Sequence, residues 1–288
     1  MDLVLIELNF KLGRLLALTP PSLKRQSPNF FEKVYIFFVF SIYTVGEGYM
    51  LQQKITHYSQ MTPIRLILRF MLEGTLFIYN FYSPLALVTR KRQEWFNLVE
   101  NFGKIECLSQ RNSHNLVFIV SHVVFGAASI FTTYVWLTYF GFMFYQMYIL
   151  EYIQVYSQYF YTVFACIILR TLLSRYEKQS ILLRERLQVG KNTSDDLANF
   201  MKETKFNMFT LREIVDTFNE IFGWVILFCI VYGATKFLNC LYDLIKGSGL
   251  LRNRTYVEKI LIFFSQNVSI LLFLVSGVIA VSWNYGHF

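Results

Sequence analysis

The hydrophobic pattern of the chain is dominated by long runs of almost purely apolar residues. A run of about 20 such residues is the length that crosses a bilayer as a helix. Six runs of this kind predict six transmembrane helices, at residues 34–51, 66–88, 116–139, 152–173, 221–244 and 260–283. The pattern therefore predicts an all-α polytopic membrane protein, organised as a single transmembrane domain over residues 1–288.

Polar residues interrupt some of these runs. Arg69 and Glu73 lie four positions apart in the second span, on one face of a helix, where they can pair with each other. Lys236 lies in the outer third of the fifth span, where its long side chain can extend to the interface. Gln266 lies in the sixth span and suits a hydrogen bond between helices. Because polar groups are costly inside a bilayer, Glu73, Lys236 and Gln266 are also candidates for a polar ligand cavity.

A seven-residue period runs through the stretch before the fifth span. Its members alternate in steps of four and three residues, namely Leu197, Met201, Thr204, Met208, Leu211, Val215, Phe218 and Phe222. The pattern continues into the span without a break and predicts one helix of about 48 residues, roughly 70 Å long. Less than half of that length crosses a bilayer, so residues 174–220 are predicted to form a cytoplasmic helical region from extensions of spans four and five.

This predicted seam must be buried against another surface. One interpretation is a hairpin within the chain, in which the extension of the fourth span covers the seam. The other is a common cytoplasmic core formed by several subunits. In both, the packing residues are Met208, Leu211, Val215, Phe218 and Phe222.

Composition and charge agree with a membrane protein. Hydrophobic residues make up 55% of the chain and charged residues 16%, against roughly 25% charged in soluble domains. Nineteen of the 27 lysines and arginines lie in the N-terminal segment and in the loops at 89–115 and 170–220. The positive-inside rule therefore predicts a cytoplasmic N-terminus and an external loop carrying the glycosylation sequon at Asn253. The basic residues form no single tract and no nucleic-acid-binding motif, so nucleic acid is not an expected partner.

The reactive residues do not favour an enzyme. The four histidines form no metal-ligand pair, and the sequence holds no GxSxG, P-loop or GxGxxG motif. The four cysteines are too few and too scattered for a disulfide framework. We therefore expect no catalytic residues, no metal and no cofactor.

Aromatic residues, 18% of the chain, cluster around one predicted outer loop, at residues 134–161. A belt of rings at the membrane interface is one explanation. However, Tyr134, Trp136, Tyr156 and Tyr159 extend a turn or more inward. Their flat surfaces and polar tips suit a pocket for a small, partly polar molecule or for a cation held over the rings.

The order of these features resembles the insect gustatory receptor family. The features are an N-terminal segment ending in proline, a first cytoplasmic loop reading RKRQEWFNLVENFGKIE, and a long second loop closing on LREIVDTFNEIFGWVILFCIVYG. The best match is in the last stretch, where Leu211, Val215 and Asn219 are followed by Phe222 and Gly223 and then by an apolar span. The resemblance covers nearly the whole chain.

The resemblance implies a tastant-gated, non-selective cation channel subunit in the perception of taste. It implies a plasma-membrane protein of chemosensory neurons, with a cytoplasmic N-terminus, assembled with related subunits as a homo- or hetero-tetramer. It also places the ligand pocket in the outer half of the bundle. The candidate ligand-binding residues are then Glu73, Tyr134, Trp136, Tyr156, Tyr159, Lys236 and Gln266.

Two alternatives remain open at this point. The family has a seventh, pore-lining span, whereas this sequence contains six predicted spans, so a non-conducting accessory protein or a degenerate or truncated receptor is the first alternative. A polytopic transporter is the second, although the sequence shows no internal repeat of the kind that many transporters carry.

Overall fold

The computed structural model describes residues 10–15, 17–20, 28–105, 113–189, 194–246, 255–265 and 267. Within these residues the fold is helical and contains no strand, which confirms the predicted all-α class. The elements are α1 (Phe30–Tyr58), α2 (Pro63–Tyr82), a π-helical segment (Ser83–Arg90), α3 (Arg92–Lys104), α4 (Ser113–Gln146), α5 (Ile149–Val189) and α6 (Ser194–Lys246). Residues 10–15 and 256–265 are also helical.

Four helices are long and apolar enough to cross a membrane, as judged by length and composition. Their apolar stretches are Phe30–Ile55 in α1, Phe118–Phe142 in α4, Ile149–Arg186 in α5 and Leu197–Asp243 in α6. These stretches contain or overlap the first, third, fourth and fifth predicted spans. The protein is therefore built as a membrane protein, and the orientation of its helices in the bilayer stays a prediction.

The prediction of six spans is not confirmed as a whole. Helix α2 covers most of the predicted second span, but it carries Arg65, Arg69 and Glu73 within its 20 residues. At Ser83 the chain changes to π-helical geometry, with Pro84 near the start of the segment. Proline has no N–H to bond to the preceding turn, and wider turns of this kind relieve the break. The predicted sixth span lies mostly outside the described residues.

The membrane-crossing helices alternate in direction, so their ends gather in two groups. The end of α1 meets the middle of α2 through Lys54 and Glu73, and the end of α6 meets the start of α2 through Asp243 and Arg65. The end of α6 also meets the start of α5 through Lys236 and Glu151. The end of α4 joins them, because the ring of Trp136 lies 5.6 Å from the ring of Tyr148. We call this the cavity end of the bundle, after the cavity described below. The opposite end carries α3, and we call it the α3 end.

Helix α3 lies in a region that the sequence analysis treated as a loop. Its side chains Trp95, Leu98 and Phe102 are buried at spacings of three and four, the pattern of an amphipathic helix. The Trp95 ring lies 5.8 Å from that of Phe164 in α5 and 5.4 Å from that of Phe222 in α6. An aromatic core therefore joins α3, α5 and α6 at this end.

The N-terminal segment completes the core at the α3 end. Phe10 and Leu18 are buried in the same cluster as Trp95. The Tyr161 hydroxyl of α5 donates a hydrogen bond to the Leu18 carbonyl, and the Thr19 hydroxyl donates to the Phe10 carbonyl at 3.0 Å. The described part of this segment is thus packed into the bundle.

Helix α6 runs through 53 residues, which at 1.5 Å per residue is about 80 Å. This is the long helix that the seven-residue period predicts. Of the five predicted packing residues, Leu211, Phe218 and Phe222 are buried and Met208 packs partly buried against the core. Val215 is 43% exposed, and its neighbour Ile214 is fully buried instead. The buried face is broad because both α3 and α5 pack against α6.

Helix α5 lies at the centre of the bundle. Two thirds of its apolar stretch, 67%, is buried, against 28% or less for the apolar stretches of α1, α4 and α6. Surfaces that are apolar and exposed suit contact with lipid tails, so α1, α4 and α6 supply most of the lipid-facing surface of the described bundle. Helix α5 is instead mostly enclosed by the other helices, while α6 packs against α2, α3 and α5 along its length.

Candidate functional site

A small polar cavity lies at the cavity end, among α2, α4, α5 and α6. Its volume is about 60 Å³, which holds roughly four to six water molecules. The side chains that give it chemical character are Arg69, Trp136, Glu151, Tyr232, Lys236 and Asn239. The cavity thus combines both signs of charge with aromatic walls and the amides of Asn239 and Asn267.

Two buried ion pairs surround this cavity. The Lys54 ammonium lies 2.8 Å from the Glu73 carboxylate, which joins α1 to α2. The Lys236 ammonium lies 3.3 Å from Oε1 of Glu151, which joins α6 to α5. Lys54 also lies 4.0 Å from Oε2 of Glu151 and 4.6 Å from the centre of the Tyr148 ring. Lysines are rarely buried without a partner, and here carboxylates from neighbouring helices supply one.

Tyr58 and Asp243 extend the polar network around the cavity. The Tyr58 hydroxyl donates a hydrogen bond to Oε1 of Glu73. Burial first, and then this hydrogen bond, raise the pKa of Tyr58 above its ordinary value, so the phenol remains a donor at neutral pH. Arg65 lies 3.2 Å from Asp243, which ties the start of α2 to the end of α6.

Arg69 differs from the other basic side chains of this end. It lines the cavity, and its Nε is buried. Among the described residues no carboxylate lies within 4 Å of the Arg69 guanidinium, and its Nε has no hydrogen-bond partner. Its interaction with Glu151 and Glu73 acts through space. Arg69 therefore lines the cavity without a direct ion pair.

Three of the sequence-predicted ligand residues lie at this site. Glu73 pairs with Lys54 of α1, whereas the sequence analysis considered Arg69 as its partner. Lys236 turns inward to Glu151 and does not extend to the interface. Trp136 lines the cavity and is 8% exposed.

The remaining predicted ligand residues lie elsewhere. Tyr134 is 66% exposed, since two helical positions turn it about 200° away from Trp136. Tyr156 and Tyr159 face α4 deeper in the bundle, with ring centres 5.1 Å and 4.7 Å from Phe125. The Tyr159 hydroxyl donates to the Ser121 carbonyl at 2.8 Å. Gln266 and the glycosylation residue Asn253 lie outside the described residues.

Sequence reasoning missed several residues of the site. Lys54, Glu151 and Asn239 lie near the predicted ends of three spans, where polar residues are ordinary. One signal was available in the sequence. All three residues occur at span ends that the predicted topology assigns to the outer side of the membrane. A comparison of the polar residues at the outer ends of all the spans would have indicated that these three form one site.

The site has no arrangement for metal binding in the part of the chain that the structure describes. No group of three His, Cys, Asp or Glu side chains is close enough there to hold a metal ion. The chemistry that the cavity offers is therefore ionic and hydrogen-bonding recognition.

A separate apolar groove of about 600 Å³ lies between α5 and α6. Ala165, Cys166 and Leu169 of α5 line one wall, and Cys229 and Ile230 of α6 line the other. A surface of this composition suits lipid tails.

The chain matches no protein-family model, no curated protein and no solved structure.

Proposed function

We propose that the protein is a chemosensory membrane receptor, a subunit of a tastant-gated non-selective cation channel in the perception of taste. The observation that carries the proposal is the ionic cavity, which is assembled from the ends of several helices. A small molecule in this cavity contacts α2, α4, α5 and α6 together. It can therefore favour one arrangement of the helices over another by binding that arrangement more tightly.

The ion pairs around the cavity support a two-state response. Lys54–Glu73 and Lys236–Glu151 each join two different helices. Buried ion pairs depend on close geometry, so a ligand that competes for one partner changes the free energy of the helix contact. The bundle thus holds a contact that a polar ligand can alter.

Location and assembly are proposed from the sequence. The distribution of lysine and arginine supports a cytoplasmic N-terminus. The resemblance to insect gustatory receptors supports the plasma membrane of chemosensory neurons and a homo- or hetero-tetramer. With that orientation, the cavity end faces the outer side, from which a tastant arrives.

A polytopic transporter is the second candidate, and one observation favours it. Helix α2 changes to π-helical geometry at Ser83, and broken helices are frequent in transporter substrate sites. A transporter would accumulate its substrate, whereas a channel subunit would pass ionic current on ligand addition.

The test is electrical recording from cells that express the full chain. We expect an inward cation current on application of a compound from a panel of sugars, bitter compounds and small organic acids. Trp136→Ala should raise the half-maximal concentration at least tenfold, because the ring forms a wall of the cavity. Tyr134→Ala, two positions away on the exposed face, is the matched control and should leave the response unchanged.

The proposal is wrong if no compound in the panel elicits a current while surface labelling detects the protein at the plasma membrane. Saturable uptake of a compound without current would favour the transporter.

A further inference from the structure

We infer that the cavity binds a small carboxylate that carries a hydroxyl or amino group, with Arg69 holding the carboxylate. The inference concerns the ligand class of the same cavity and so rests on the proposed function for its biological meaning. Its physical basis is separate, because it comes from the charges and unpaired groups of the cavity.

The first observation is the lack of an anionic partner for Arg69. The other basic residues around the cavity, Lys54, Arg65 and Lys236, each have a carboxylate within 3.3 Å. Arg69 has none within 4 Å among the described residues, and its Nε is buried without a partner there. Arg69 is partly buried and interacts with Glu151 and Glu73 only through space, and a guanidinium in a membrane bundle without a directly paired anion is costly. An anionic ligand would remove that cost.

The second observation is the surplus of positive charge. The charged groups that line the cavity are Arg69, Lys236 and Glu151, which leaves one positive charge uncompensated. The ion pairs beside the lining, Lys54–Glu73 and Arg65–Asp243, are each neutral and do not change this surplus. Glu47 interacts electrostatically with Lys54, Glu73 and Glu151 but does not line the cavity, so the surplus belongs to the cavity lining alone. A ligand that presents one carboxylate to this lining, either a hydroxy acid as a monoanion or an amino acid as a zwitterion, therefore fits better than a dianion or a simple cation.

The third observation is a set of unpaired, buried polar groups on residues that line the cavity. Oδ1 of Asn239 and Oε2 of Glu151 are buried without a hydrogen-bond donor among the described residues, as is the Tyr232 hydroxyl. All three residues line the cavity. Acceptors of this kind require N–H or O–H groups from a ligand. A simple halide has none, whereas a hydroxy acid or an amino acid supplies both a carboxylate and a donor.

Shape and size restrict the class further. The planar guanidinium fork matches a carboxylate with two parallel hydrogen bonds. A volume of about 60 Å³ admits a molecule of few heavy atoms. Trp136 and Tyr148 supply apolar surface for a methyl group or a short chain. L-lactate and L-alanine have these properties.

The test is thermal unfolding of the purified protein in lipid nanodiscs with matched pairs of small molecules. L-lactate should raise the midpoint by a few degrees in a saturable manner, as expected for a ligand that binds only the folded state. Lactamide, its neutral isostere, should give no shift. Propionate, which lacks the hydroxyl, should bind at least tenfold more weakly than lactate.

Variants of Arg69 then test whether this residue binds the carboxylate of the ligand. Arg69→Gln should abolish the lactate shift, and Arg69→Lys should weaken it, because an ammonium cannot form the two-bond fork. Arg90→Gln changes an exposed arginine outside α2 and is the matched control, in which the lactate shift should persist. If Arg69→Gln does not fold, the comparison of lactate with lactamide on the unaltered protein still decides.

Equal shifts with lactate and lactamide would overturn the inference, as would a lactate shift that persists in Arg69→Gln. The absence of any shift with lactate, alanine and propionate would also overturn it. These outcomes leave the receptor proposal to its own test, since binding here is measured without current and the current test includes uncharged compounds.

Discussion

Glu151 is the side chain on which the charge balance of the cavity depends most. One of its oxygens lies 3.3 Å from the Lys236 ammonium, and the other lies 4.0 Å from the Lys54 ammonium. It is 8% exposed. The Glu151 carboxylate at the start of α5 therefore interacts with cations from both α1 and α6.

Glu151→Gln should lower the free energy of unfolding by about 3–5 kcal/mol, because it leaves the Lys236 ammonium without its carboxylate and removes the second carboxylate near Lys54. Glu100→Gln is the matched control. Its pair with Lys104, at 3.1 Å, is nearly half exposed and should be worth less than about 1 kcal/mol. Chemical denaturation in detergent, followed by tryptophan fluorescence, would measure both. Equal losses for the two variants would contradict the structural role of Glu151.

For single side chains, the sequence did not predict which side of an apolar helix faces the interior of the bundle. In α4 nearly every position is apolar, so the pattern alone does not separate Trp136, which lines the cavity, from Tyr134, which faces outward. In α2 the pair Arg69 and Glu73 was visible, but the partner of Glu73 comes from α1. Polar groups find partners through tertiary contacts, which one sequence does not contain.

The separate helices were predictable to different degrees for a physical reason. Length and apolar composition suffice to predict α1, α4, α5 and α6, since a bilayer requires both. Helix α3 was not predicted because its polar residues resemble those of a loop. Its apolar positions Trp95, Leu98 and Phe102 mark a helix only when the core that they contact is known.

The buried face of helix α6 is determined by the helices that pack against it and not by the seven-residue period alone. A strict seven-residue period places Val215 inside, whereas packing by α3 and α5 buries Ile214. Ile214→Ala should cost about 2–5 kcal/mol of stability, as expected for a fully buried aliphatic side chain. Val215→Ala should cost less than about 1 kcal/mol, because the side chain is 43% exposed.

Thermal unfolding of the two variants, with size-exclusion chromatography, distinguishes the two interpretations of the seam. A loss of stability confined to Ile214→Ala supports packing within the chain. A change of oligomeric state in Val215→Ala would instead indicate that α6 packs against another subunit.

The arrangement of the whole bundle makes its orientation testable. The sequon at Asn253 lies between Lys246 and Thr255, both at the cavity end. The sequon at Asn192 lies between Val189 and Ser194, at the far ends of α5 and α6. The two sequons therefore belong to opposite ends of the helices, and only one end faces the lumen of the secretory pathway.

With a cytoplasmic N-terminus, Asn253 should be glycosylated and Asn192 should not. Asn253→Gln should then remove the glycosidase-sensitive mobility shift on a denaturing gel, and Asn192→Gln should leave it in place. The reverse pattern would show that the cavity end faces the cytoplasm. The proposed route of a tastant from outside would then be wrong.

The charges of α2 have a consequence for the biosynthesis of the protein. A charged residue near the middle of a transmembrane segment raises the cost of insertion by roughly 2.5–3.5 kcal/mol, and α2 carries Arg69 and Glu73 in its interior and Arg65 near its start. Lys54 of α1 leaves the ribosome earlier and is available to Glu73, so α1 and α2 insert best as a pair. Asp243, the partner of Arg65, is synthesised long afterwards with the end of α6. The order of translation therefore makes the cavity one of the last parts of the bundle to close.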